Sequence, residues 1–153
     1  VDVVNVTSAA DMADVVKSKA AEQDIIIMTA AVADFCPSHP ADEKIKKNDS
    51  SYESVIELER TEDILSYLGA HKAKGQLICG FSMETQNMLE NSKAKLAKKN
   101  ADMIVANNLK VAGAGFGTDT NVVTLITADD CTELEIMDKS CVAARIMDRL
   151  LQM

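Results

Sequence analysis

Apolar positions along the chain fall into short continuous runs separated by stretches with helical spacing. Asp24 to Ala30 (with its apolar run Ile25 to Met28), Gln76 to Phe81 (Q-L-I-C-G-F) and Asp102 to Ala106 (D-M-I-V-A) each read as a strand covered on both faces, as at the centre of a parallel sheet. The β-branched run Val3 to Val6 reads as an earlier, first strand. Ser8, with Asp11 three positions later, is a capping-box start and predicts a helix over 9–22. Strand, helix and the next strand then form a first βαβ unit with a right-handed crossover. Thr61 is the expected cap of a short helix, with Glu62 and Asp63 in its first turn, where the helix dipole favours acids. Further helices are expected over 88–99 and, capped by Ser140, over 141–151. Val122 to Ile126 and Glu133 to Ile136 predict a hairpin at the sheet edge. The stretch 31–43, which holds both prolines (Pro37 and Pro40), reads as irregular, and 44–46 and 54–58 as short extended segments. No repeat or linker interrupts the pattern. The expected fold is one α/β domain over 1–153 with a doubly wound, mostly parallel sheet and a C-terminal β-hairpin. Because Val1 already sits inside an expected strand and no initiator Met precedes it, the chain reads as part of a longer polypeptide.

Composition narrows the function. A formal net charge of −8 argues against a nucleic-acid backbone or an anionic membrane as the main partner. No apolar run approaches the length of a membrane span, and no signal peptide is visible. The cysteines (Cys36, Cys79, Cys131, Cys141) lack CxxC spacing and paired histidines, which argues against zinc and for reduced thiols of a cytoplasmic protein. His39 and His71 have no serine or cysteine partner at meaningful spacing, so a nucleophilic triad has no support.

Three small or polar clusters follow strands: Thr29-Ala30-Ala31, Gly80-Phe81 with Glu84-Thr85, and Ala106-Asn107-Asn108. The carboxyl ends of parallel strands share one rim, where ligands bind in open α/β sheets. Small residues there let a nucleotide approach the backbone, although turn chemistry explains any one cluster equally well. Lys44, Lys46 and Lys47 stand out against an acidic chain and follow the loop that leaves this rim; lysine suits phosphate oxygens. Lys95 and Lys99 are four apart and share a helix face. Asp34 suits a ligand hydroxyl or amino group or a turn, Asp63 a helix start, and Phe81 either a stacked base or the core. Gly113, Gly115 and Gly117 match no phosphate-binding fingerprint. These features converge on a nucleotide or phosphometabolite site.

In order along the chain stand T-A-A-V-A-D-F at Thr29 to Phe35, K-I-K-K at Lys44 to Lys47, E-D-I-L at Glu62 to Leu65 and G-F-S-M-E-T at Gly80 to Thr85. K-L-A-K-K at Lys95 to Lys99, D-M-I-V-A-N at Asp102 to Asn107 and G-F-G-T-D-T-N at Gly115 to Asn121 complete the set. Over nearly its whole length the chain resembles the phosphopantothenoylcysteine synthetases, the ligase half of the bacterial coenzyme A biosynthesis protein. The resemblance implies a three-layer α/β/α, Rossmann-like domain that joins the carboxylate of 4′-phosphopantothenate to the amine of L-cysteine, using CTP and Mg²⁺, through an acyl-cytidylate. It implies that Met28, Thr29, Ala30 and Asp34 contact the nucleotide and that Lys44 is the catalytic cation at the phosphates. Glu62, Asp63, Ile64, Leu65, Phe81, Lys95 and Lys99 match further nucleotide-binding positions. It also implies a homodimer, with the hairpin after Asn121 as a candidate contact, and a flavin-dependent phosphopantothenoylcysteine decarboxylase fused or associated. ATP-using relatives and a non-catalytic nucleotide-binding or dimerisation module are the alternatives. The chain departs from the family in lacking a glycine-rich segment and an asparagine near the start, and in reading T-E-D-I at Thr61 to Ile64 where many members read N-P-D-I.

Overall fold

The computed structural model describes residues 1–41, 43–44, 55–84, 87–108 and 117–153. The first helix, α1 (Ala9–Ala20), starts as the capping box requires: Ser8 Oγ accepts from the Asp11 N–H at 3.1 Å, and Asp11 Oδ2 accepts from the Ser8 N–H at 3.0 Å. Strand β1 (Ile25–Met28) follows, then β2 (Phe35–Pro37), β3 (Leu58–Arg60), α2 (Ile64–Ala70), β4 (Leu77–Glu84), α3 (Met88–Lys98) and β5 (Met103–Asn108). The remaining elements are β6 (Thr120–Asn121), β7 (Val123–Ile126), β8 (Cys131–Glu133), β9 (Met137–Asp138) and α4 (Lys139–Leu150).

The main sheet has the order β1-β4-β5-β7-β8. β1, β4 and β5 are parallel, and β7 and β8 add the expected antiparallel hairpin. Side chains alternate across the sheet. Cys79, Met103, Val105, Val123 and Leu125 pack with Val142, Ile146 and Leu150 of α4 on one face. On the other, Ile78 packs with Ala13, Ile64 and Leu68 of α1 and α2. α3 lies on that second face, where the buried hydroxyls of Ser82 and Ser92 meet at 2.8 Å. The result is the expected three-layer α/β/α arrangement, with a mixed sheet in which two pairings are parallel and the two made by the hairpin strands are antiparallel.

Several local expectations are corrected. Val3 to Val6 forms no strand: the segment is irregular and exposed, and no described strand lies beside it to pair its backbone. The βαβ units that form are therefore β1–α2–β4 and β4–α3–β5. β1 is half-buried at the edge of the described sheet, not at its centre. The loop expected to be irregular contains β2, which pairs antiparallel with β3 (Phe35 opposite Arg60). Pro37 is tolerated because it ends the strand of a two-stranded ribbon. Asp63, not Thr61, caps α2, and α4 starts after Asp138 rather than Ser140. The segment 45–54, with the extended stretch and the lysines Lys46 and Lys47 expected there, lies outside the described residues. So do Thr85, Gly113 and Gly115.

At the amino end of the parallel strands Asp102 links two of them. Its carboxylate accepts from Lys72 Nζ at 2.6 Å and from the Ile78 N–H at 2.7 Å. Removing a partner from a largely buried ionic bond leaves the other group unsatisfied. Asp102→Ala is therefore expected to lower the unfolding free energy by about 2 kcal/mol, read as a lower urea midpoint.

Candidate active site

Beyond the carboxyl ends of β1 and β4 lies a cleft of roughly 240 Å³. Its floor is Met28 and Ala30, and one wall is the loop Val32–Ala33–Asp34. A second wall runs from Arg60 through Leu65, and Phe81, Lys95 and Lys99 complete the lining. Residues far apart in sequence thus meet at one rim, as the strand pattern requires.

Each wall is held by named bonds. The Thr61 N–H donates to the Asp34 carbonyl at 3.0 Å, and the Thr61 hydroxyl donates to the Ala33 carbonyl, so the two loops are joined along their backbones. Asp63 caps α2 by accepting from the Ser66 N–H at 3.0 Å, and its other oxygen takes the Lys99 ammonium. Lys99 also donates to Ser66 Oγ at 2.9 Å. Lys95 Nζ donates to the Phe81 carbonyl at 2.8 Å, which brings its charge to β4 just past Gly80, the last residue paired with β1. Glu62 is bound by Lys17 of α1 at 2.6 Å, and that ammonium also sits 5.3 Å from the centre of the Tyr67 ring.

The charge balance follows. Glu62 and Asp63 are answered by Lys17 and Lys99. Lys95, Arg60 and Asp34 form no ion pair among the described residues. The lining is thus balanced in charge, Asp34, Glu62 and Asp63 against Arg60, Lys95 and Lys99, and within it Lys95 and Arg60 are cations without a carboxylate partner among the described residues. These two cations are placed to take an anionic group. Partial burial pushes the Asp63 carboxyl up, but the Lys99 ammonium and the Ser66 N–H outweigh it and hold the group below the usual carboxylate range. A carboxyl depressed in the folded state stabilises the protein above its unfolded value, near 3.9, and loses that contribution as pH falls through the lower folded value. Asp63→Asn is thus expected to lower the urea midpoint at pH 7 and to flatten its decline below about pH 4.

Of the residues singled out in the sequence, Met28, Ala30, Asp34, Glu62, Asp63, Ile64, Leu65, Phe81, Lys95 and Lys99 line this cleft. Thr29 and Lys44 are described and exposed but are not among its lining. Phe81 contributes its carbonyl to Lys95, and its half-buried side chain packs with the α4-side core. Gly80 does not leave room for a ligand: a Cβ there would lie 2.7 Å from Leu65 Cδ2, so α2 fills the space. Val32, Ala33, Arg60 and Thr61 are lining residues that the pattern did not single out as site residues, Thr61 being expected only as a helix cap.

No group of three or more His, Cys, Asp or Glu among the described residues could hold a metal ion. A Mg²⁺ carried by a nucleotide needs little more than its phosphates and one or two carboxylates. Asp34 fits that lesser requirement, as a cleft carboxylate with no ion pair among the described residues. No helix among the described residues is long and apolar enough to cross a membrane, and the cysteines are free thiols.

The family model of the DNA/pantothenate metabolism flavoprotein C-terminal domain matches residues 1–153. A coenzyme A biosynthesis bifunctional protein of Bacillus subtilis is 47% identical over 148 residues, covering 96% of this chain and 36% of that protein. A cysteine/cysteine sulfinic acid decarboxylase from an unknown prokaryote is 45% identical over 152 residues, covering 99% of this chain and 42% of that protein. The chain thus spans about two fifths of the length of these curated relatives. Among solved structures, the C-terminal domain of the coenzyme A biosynthesis bifunctional protein CoaBC superposes with a TM-score of 0.76 at 41% identity, covering 97% of this chain and 66% of that one. With the family match running through every strand and the whole cleft, the chain belongs to the DNA/pantothenate metabolism flavoprotein C-terminal domain family.

Proposed function

We propose that this chain is the nucleotide-binding body of a phosphopantothenate–cysteine ligase that uses CTP and Mg²⁺ in coenzyme A biosynthesis. The observation that carries the reading is the cleft at the strand ends, with two cations, Lys95 and Arg60, that have no carboxylate partner, and with no nucleophile–histidine pair, among the described residues of its lining. Such a site suits chemistry in which the substrates react with one another and the protein holds charge. In the proposed reaction a carboxylate oxygen of 4′-phosphopantothenate attacks the α-phosphorus of CTP, and the bond to the bridging oxygen breaks to release pyrophosphate. The amine of L-cysteine then attacks the acyl carbon of the acyl-cytidylate, loses a proton and expels CMP. Lys95 and Lys99 take phosphate oxygens, Met28, Ala30 and Phe81 form the base-side floor, and Asp34 holds a nucleotide hydroxyl or its Mg²⁺.

Lys44 is proposed as the cation that acts on the developing charge at the α-phosphate. The support is its place in the K-I-K-K motif. Lys44→Gln is expected to lower nucleotide-dependent pyrophosphate release by roughly 100- to 1000-fold with an unchanged unfolding midpoint. Near-normal release would remove Lys44 from this role. Two further proposals are a homodimer that uses the β7–β8 hairpin, whose β8 is exposed at the sheet edge, and an associated flavin-dependent phosphopantothenoylcysteine decarboxylase. That the Bacillus subtilis relative is a bifunctional protein of coenzyme A biosynthesis, of which this chain covers 36%, supports the second.

A further inference from the structure

We propose that Arg60 binds the α-carboxylate of the acceptor amino acid and so selects an amino acid over a simple amine; this rests on the ligase reading above. Of the chain's arginines, Arg145 and Arg149 belong to α4, whereas Arg60 ends β3 in the wall of the cleft. Its guanidinium carbon lies 5.4 Å from the centre of the Phe35 ring, directly across the ribbon. A cation–π contact engages the charge and leaves the in-plane N–H fork available. The backbone beneath is fixed by the bonds from Thr61 to Ala33 and Asp34. With no ion pair among the described residues, this is a positioned and unneutralised fork.

Geometry distinguishes among the anions of the reaction. The lysines on α3 are compact point charges suited to phosphate oxygens, whereas a planar guanidinium matches a carboxylate through two parallel bonds. The phosphate ester of phosphopantothenate is separated from its reacting carboxyl by the whole pantothenate chain, so it need not enter the reaction cleft. The amino acid's carboxylate is one carbon from the attacking nitrogen and must be bound where the reaction occurs. Next to a bound polyphosphate it would be repelled, and a cation on a separate element offsets that repulsion.

The test compares L-cysteine with cysteamine, which keeps the amine and thiol but lacks the carboxylate, in the wild-type protein, Arg60→Gln and Arg60→Lys. Arg60 is exposed, so the variants are expected to fold, and circular dichroism checks this. Arg60→Gln is expected to lower kcat/KM for L-cysteine by roughly 10- to 100-fold, mainly through KM. Cysteamine turnover and pyrophosphate release before cysteine is added should fall far less than turnover of L-cysteine, and Arg60→Lys should recover part of the loss. Equal losses for both amines, a raised KM for nucleotide or phosphopantothenate, or no effect at all would overturn the assignment while leaving the ligase reading intact. A wild-type protein that forms no acyl-nucleotide would remove the ligase reading and this inference with it.

Discussion

Replacing Lys95 with methionine is expected to lower nucleotide-dependent turnover by about 100-fold or more in kcat/KM, with little change in stability. Among the lysines of the cleft, Lys99 already has its charge answered by Asp63. Lys95 has no carboxylate partner among the described residues and is held only by the Phe81 carbonyl. One carbonyl cannot offset a full charge, so the ammonium keeps most of its attraction for a phosphate oxygen and has donors to spare. Methionine retains much of the aliphatic stem that packs on the cleft wall and removes only the charge. The carbonyl left behind borders an open cleft, where water can replace the lysine, so the stability cost should stay near 1 kcal/mol or below. Turnover of Lys95→Met at the wild-type rate would show that the phosphates lie elsewhere.

Gly69→Ala is expected to be among the most destabilising single substitutions, at about 3 kcal/mol or more. A Cβ on this residue of α2 would lie 1.8 Å from the Lys99 carbonyl oxygen and 3.2 Å from Asn100 Cβ. The obstruction is mostly backbone, which cannot rotate away as a side chain would. The Gly69 carbonyl also accepts from Asn100 Nδ2 at 2.7 Å, and Asn100 holds a left-handed φ of 48° that closes the end of α3. Adding one methyl therefore forces apart the two helices that carry Asp63 and Lys99. The expected results are a large drop in urea midpoint and weakened nucleotide binding in the protein that remains folded. An unchanged midpoint would show that α2 shifts freely and that its contact with α3 does not set the cleft.

The fold was legible wherever one residue's pattern dictated its own surroundings. Ile78, Ile104 and Val105 lie in unbroken apolar runs, and all three are fully buried in the sheet. Ser8 and Asp11 announce the start of α1 because a capping box is a local device. Val3 to Val6 misled for the complementary reason: β-branched side chains favour extended backbone, but a strand exists only when a neighbour takes its hydrogen bonds. The ribbon of β2 and β3 was hidden because its pairing joins Phe35 to Arg60 across a long separation, with proline at its end. Much of the candidate cleft's lining could be read because the ends of parallel strands share one rim, and Lys95 and Lys99 could be paired from helical spacing alone. Arg60 could not, since its significance depends on the ribbon. Its rarity in the chain was the available signal.

The central claim is that this cleft activates a carboxylate with a nucleotide. Its most direct test is mass spectrometry of the reaction with 4′-phosphopantothenate, CTP and Mg²⁺, with and without L-cysteine, using both the 153-residue chain and a polypeptide of the relatives' full length. Pyrophosphate and an acyl-cytidylate are expected in the absence of cysteine, converted to phosphopantothenoylcysteine and CMP when cysteine is added. Folded full-length protein that binds nucleotide but forms no acyl-nucleotide with either CTP or ATP would contradict the claim.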